Sequence, residues 1–141
     1  MTANPIGLYR DTLLDHYRHP RNYGALDQAQ SIKRGSNPLC GDDVEVGVTL
    51  RDETLASVRF RGRGCSVCIA SASMMTEAVT GKPKREVLDL VREMQEWFGT
   101  GDGSAVREPP EALAALAAVR EYPARRRCVL LAWEALTDAL V

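Results

Sequence analysis

The hydrophobic period of this chain changes once, and that change limits what it can fold into. Val44, Val46, Val48 and Leu50 alternate with Asp43, Glu45, Gly47 and Thr49. A period of two marks a strand with one buried face. After the polar turn Arg51-Asp52-Glu53, a second alternation sets Ala56, Val58 and Phe60 on one side and Ser57, Arg59 and Arg61 on the other. Together they predict an antiparallel hairpin, and a weaker third strand is expected over residues 30–35. From about Ser66 the spacing becomes helical, through Ile69, Ala72, Ser73 and Thr76, with Gly81 placed to cap the end. Pro83 opens a further helix whose apolar stripe is Val87, Leu88, Val91, Met94, Trp97 and Phe98. Residues 8–18, 111–119 and 125–140 read as three more helices; the first carries Tyr9, Leu13 and Tyr17 on one face. Helix, small antiparallel sheet and then several helices make an α+β domain. Nothing repeats and no linker divides the chain, so one domain over residues 1–141 is expected.

Composition narrows the function classes. Of 141 residues, 45% are hydrophobic, enough for a real core and too many for a disordered chain. Lys plus Arg number 18 against 19 Asp plus Glu, so the charge makes no case for nucleic acid. The longest apolar run, residues 112–119, is far short of the roughly 18 residues a membrane span needs. The first residues show no basic start followed by an apolar stretch. A cytoplasmic protein engaging neither nucleic acid nor membrane is expected.

In that compartment Cys40, Cys65, Cys68 and Cys128 are thiols, and metal binding or catalysis becomes the better reading. Cys40 lies in the tight polar segment Asn37-Pro38-Leu39-Cys40-Gly41-Asp42-Asp43, which predicts an accessible thiol. In an extended backbone Cys40 and Asp42 share a side, and a cation between them relieves their repulsion. Cys65 follows Arg61-Gly62-Arg63-Gly64 at a strand-to-helix junction, where backbone N–H groups favour a thiolate. Cys128 follows Arg125-Arg126-Arg127 and is expected in the first turn of the last helix; it reads either as a second activated thiol or as a small core residue. Cys68 completes a CxxC with Cys65, yet no redox βαβ pattern surrounds it and no second CxxC suggests a zinc ribbon. Packing is its first reading, a ligand or resolving thiol its second. His16 and His19 are read as solvated or locally satisfied, and residues 99–104 as a plain connector.

Several segments in order resemble the U-type iron–sulfur cluster assembly proteins, the family of IscU, SufU and the NifU N-terminal domain. They are Asp15-His16-Tyr17-Arg18, Pro20-Arg21-Asn22-Tyr23-Gly24, Asn37-Pro38-Leu39-Cys40-Gly41-Asp42, Gly64-Cys65-Ser66, Ala70-Ser71-Ala72-Ser73-Met74-Met75-Thr76, and Pro123-Ala124-Arg125 with Cys128. The chain is more similar to the SufU branch: it has an extra segment at about 97–119, and Arg127 where IscU proteins carry a histidine ligand. The resemblance implies a SufE/IscU-like fold, about three strands against several helices. It implies a Zn²⁺ site of Cys40, Asp42, Cys65 and Cys128. It also implies a sulfurtransferase-like carrier rather than a conventional enzyme. Cys40 takes persulfide sulfur from a SufS-type pyridoxal-phosphate cysteine desulfurase, Arg125 supports the site, and downstream SUF proteins receive the sulfur. The alternative is a scaffold for a labile [2Fe–2S] cluster on the same ligands; a purely structural zinc domain and a Cys65–Cys68 redox protein are the other contenders. Cys68 is not one of the family's ligands.

Overall fold

The computed structural model describes residues 5–38, 41–98, 113–116, 119 and 122–140. Its elements run α1 (Pro5–Arg18), β1 (Ser31–Asn37), β2 (Asp42–Arg51), β3 (Thr54–Arg63), α2 (Ser66–Val79), α3 (Lys84–Phe98) and α4 (Pro123–Leu140). The strands form one antiparallel sheet in the order β1-β2-β3. The expected third strand is therefore present as β1. Val46 faces Phe60 and Val48 faces Val58 across the β2–β3 ladder, and all four are buried, as the alternation requires.

The alternation fails at one place. A register shift between Thr49 and Leu50 pairs Leu50 with Leu55. Leu55 is thereby buried and Ala56, expected on the inner face, is exposed. One extra residue in a strand turns every later side chain to the other face.

The outer face of the sheet is polar. Arg34 grips Asp43 with two bonds of 2.6 Å, and Arg61 reaches Glu45 at 3.1 Å. The loop before β1 lays Leu26 and Ala29 over Gly47, where a Cβ would stand 2.8 Å from that of Ala29. Asn22 and Gly24 bond both backbone groups of Phe60 and so cover the edge of β3, while the Tyr23 ring meets Phe60 edge-on at 5.1 Å.

Helices α2 and α4 fill the inner face. Helix α4 rests directly on β1: a Cβ on Gly35 would come within 2.9 Å of the Leu131 carbonyl oxygen. Ser71 ties α2 to α4, donating to the Val129 carbonyl at 2.7 Å and accepting from Trp133 Nε1 at 3.1 Å. Helix α1 lies on α2 through polar groups. Ser73 Oγ meets His16 Nδ1 at 2.7 Å and accepts the Arg21 N–H at 2.8 Å, and Asn22 donates to Thr76 at 3.0 Å. His16 is thus a buried strut rather than a solvated residue, whereas Tyr17, expected on the apolar face, is 43% exposed.

Of the expected α3 stripe Val87, Val91, Met94, Trp97 and Phe98 are buried, whereas Leu88 is only partly buried and Leu90 is buried in addition; Gly81 takes φ +85° just after the Thr80 C-cap. Helix α4 starts at Pro123, not at about 125, because proline's fixed φ suits the first helical position and its missing N–H costs nothing there. Residues 113–116 form a 3-10 turn where a helix over 111–119 is expected. Residues 99–104 and most of 97–119 lie outside the described residues. Among the described residues no helix is long and apolar enough to cross a membrane.

Candidate metal centre

Three separate elements deliver one potential ligand each to a single point. Asp42 opens β2, Cys65 caps α2, and Cys128 lies in the second turn of α4. Their ligand atoms all lie within 4.8 Å of one another. Asp42 is 1% exposed and Cys128 fully buried, while Cys65 is partly open to solvent.

The local chain explains each placement. Asn37 pairs with Asp42 across β1 and β2, so only residues 38–41 connect the strands, and Gly41 takes the left-handed φ of +73° there. Asp42 Oδ1 accepts the Cys65 backbone N–H at 2.9 Å, which leaves Oδ2 turned to the Cys65 sulfur at 3.9 Å. Gly64 makes this approach sterically feasible: a Cβ there would be 2.8 Å from Oδ1 and 3.2 Å from the Cys68 sulfur. Cys65 is the N-cap residue of α2, and its sulfur accepts the Cys68 N–H at 3.4 Å.

Of its two readings, Cys128 takes the buried one. Burial pushes its thiol well up from the ordinary range, and hydrogen bonding to Asp42 and Cys65 adds to the same effect. With α4 starting at Pro123, Cys128 sits deeper than the first turn, where the helix end's partial charge fades. Burial beside Asp42 therefore disfavours the thiolate form of Cys128. Arg125 is exposed at the rim, and its protonated form is favoured first by attraction to Cys65, then by its hydrogen bond to that thiol and by Cys128.

The donor set fits zinc. At bond lengths of about 2.0–2.3 Å, ligand atoms at two corners of a tetrahedron are separated by about 3.5–3.8 Å. The 3.9 Å between Cys65 and Asp42 is close to that edge. Two sulfurs and one carboxylate oxygen suit zinc, with a fourth corner left for another donor. Cys40 lies outside the described residues. His19 is exposed and His16 is engaged with Ser73, so neither histidine joins the cluster. Reading the sequence alone missed Gly64, whose missing side chain matters through space, and Ser71, whose partners lie 58 and 62 residues away. Beside Arg125, a cleft of about 520 Å³ is lined by Arg10, Leu13, Ser66, Val67, Val119 and Tyr122.

Known proteins resemble this chain over almost its whole length. The family described as NifU-like N terminal domain matches residues 8–141. An iron–sulfur cluster assembly scaffold protein IscU from Streptococcus pyogenes serotype M1 is 37% identical over 94% of this chain and 82% of its own length. The zinc-dependent sulfurtransferase SufU of Bacillus subtilis (strain 168) is 35% identical over 95% of this chain and 90% of its own. A crystal structure described as an iron–sulfur cluster assembly scaffold of the SUF system, from Fervidobacterium Islandicum AW-1, superposes with a TM-score of 0.80 at 26% identity, covering 93% of this chain and 95% of that one. Helix, three-stranded antiparallel sheet, helices and a thiol–carboxylate cluster thus occur together with a family match over almost the whole length, and the chain belongs to the NifU-like N terminal domain family.

Proposed function

We propose that this protein carries sulfur for iron–sulfur cluster assembly, binding zinc through Cys40, Asp42, Cys65 and Cys128 and accepting persulfide sulfur on Cys40. The observation that carries the reading is the convergence of Asp42, Cys65 and Cys128 within 4.8 Å, with Cys40 two residues before Asp42 in the chain. Arg127 before Cys128 favours sulfur transfer over a cluster scaffold, and a zinc-dependent sulfurtransferase stands among the relatives beside scaffold proteins.

When bound, zinc supplies positive charge that keeps its thiol ligands deprotonated. The chain's own groups do the rest. The Cys68 N–H and Arg125 support charge at Cys65, and Asp42 is oriented by the Cys65 N–H. In the transfer step the Cys40 thiolate attacks the outer sulfur of a persulfide on a pyridoxal-phosphate cysteine desulfurase. A bond forms from Cys40 to that sulfur, the desulfurase S–S bond breaks, and the desulfurase cysteine leaves as a thiolate. Downstream SUF proteins then receive the sulfur. The cleft beside Arg125, with Ser66 next to Cys65 in its lining, supports a docking place for the desulfurase on that side.

The test is metal content together with desulfurase turnover. Native protein should hold stoichiometric zinc and accelerate a SufS-type desulfurase. Cys40→Ser should fold and give no acceleration. A stable [2Fe–2S] spectrum in place of zinc would transfer the assignment to a scaffold. A Cys40→Ser chain that cannot fold would point to a structural zinc domain.

A further inference from the structure

We propose that Cys68 is the resolving thiol for Cys65, so that a peroxide converts the pair into a disulfide and withdraws Cys65 from the metal-binding set. Cys68 occupies the third position of α2, one turn beyond the Cys65 N-cap. Its backbone N–H already points at the Cys65 sulfur from 3.4 Å. Disulfides need Cβ atoms about 3.5–4.5 Å apart, against roughly 5–6 Å for helical residues three apart. Cys65 is the N-cap, with extended rather than helical backbone, so closing the bond takes a small adjustment of the first turn as well as side-chain rotation.

The surroundings favour this pairing. The Cys68 sulfur and the Asp42 carboxylate lie against the same bare face of Gly64, 3.2 Å and 2.8 Å from where a Cβ would stand. Cys68 is thus fully buried at the wall of the centre, while Cys65 is partly exposed. An oxidant reaches the outer sulfur first and the inner one follows, the arrangement of a peroxide-sensing cysteine beside its resolving partner. Cys128 is the rival, its sulfur lying within 4.8 Å of the Cys65 sulfur. It sits on a different helix, whereas Cys65 and Cys68 share one turn.

The chemistry balances with hydrogen peroxide as the two-electron oxidant. The Cys65 sulfur attacks one peroxide oxygen, the O–O bond breaks, and Cys65 becomes a sulfenic acid as the first water leaves. The Cys68 sulfur then attacks the Cys65 sulfur; an S–S bond forms, the S–O bond breaks, and the oxygen departs with the Cys68 proton as the second water. Two thiols and one peroxide become one disulfide and two waters. A disulfide sulfur carries no negative charge, so Cys65 no longer serves as an anionic ligand, and a dithiol reductant restores it.

The experiment treats the purified full-length protein with hydrogen peroxide, quenches with an alkylating agent under denaturing conditions, and maps the cysteine peptides by mass spectrometry. A bound metal is followed by a chromophoric indicator. The expected result is a disulfide within the peptide carrying Cys65 and Cys68, metal released in step with it, and recovery of both thiols on reduction. In Cys68→Ala, chosen because alanine suits this small-residue helix, the disulfide is lost and Cys65 goes on to sulfinic and sulfonic acids that reduction does not reverse. A Cys65–Cys128 or Cys65–Cys40 disulfide in the native protein, or oxidised Cys65 with Cys68 still fully alkylated, overturns the proposal. The native mapping needs no variant to fold. It also involves no desulfurase, so failure of sulfur transfer and failure of this pairing are separate results.

Discussion

Gly64→Ala probes the centre without removing any ligand. The added Cβ would stand 2.8 Å from Asp42 Oδ1, against 3.4 Å for ordinary contact, so the carboxylate has to retreat by about 0.6 Å. Metal–ligand distances tolerate about 0.2 Å, and disturbing the groups that orient a ligand weakens metal binding by about 10–100-fold. The same retreat strains the bond from the Cys65 N–H, whose complete loss would cost about 1.5–3 kcal/mol because its acceptor is charged. Alanine restricts the unfolded chain and returns about 0.4–1 kcal/mol, leaving the metal-free protein about 1–2 kcal/mol less stable. Zinc affinity by competition with a chromophoric chelator, and urea melts in excess chelator, measure the two effects. Gly81→Ala is the control: its φ of +85° makes alanine costly, but nothing lies within 4 Å and it is remote from the centre. It should lower stability and leave zinc affinity alone. Unchanged zinc affinity in Gly64→Ala would show that Asp42 is not held in a ligating position by this contact.

Three further outcomes follow from the same geometry. Ser71→Ala strips the buried Trp133 Nε1 of its acceptor and the Val129 carbonyl of a donor, so urea denaturation should show a loss of about 1–3 kcal/mol; a loss below that range would mean the α2–α4 link carries little. His16 is held below its ordinary pKa by burial first and by Arg21 second, with Glu77 and Asp15 opposing. The folded state then binds this proton less tightly than the unfolded chain, so its contribution is fully present above about pH 6.5 and falls as the pH drops below that. Stability measured against pH should show this decline in the native protein and flatten in His16→Asn; identical slopes would contradict it. Chelation should lower Tm by roughly 10 °C relative to protein in zinc at a hundredfold excess over Kd, and superimposable melts would refute a metal coupled to folding.

The sheet and the helical stretches were legible because their periodicity is local. Val44 to Val48 and the α3 stripe declare their buried face within a few residues. The bulge at Thr49 and Leu50 has no local marker, so Ala56 was placed on the wrong side. Pro123 reads equally as a breaker or as a first helical residue, and only the packing of α4 decides. Of the site, Asp42 and Cys65 were readable from the turn and the strand-to-helix junction. The state of Cys128 was not: three arginines before it suggest an activated thiol, yet burial beside Asp42 outweighs them. His16 and Ser73, or Ser71 and Trp133, find each other only once α1, α2 and α4 have docked.

The bare backbone contact at Gly35 reaches further than its place on β1 suggests. Leu131, whose carbonyl oxygen a Cβ there would meet at 2.9 Å, follows Cys128 by three residues on α4. The strand acts as a stop against which the helix seats, and the depth of that seat sets how far the Cys128 sulfur projects. Any side chain at position 35 would raise the helix and retract its thiol, so the dimensions of the ion's cage are fixed in part by a residue that never touches it.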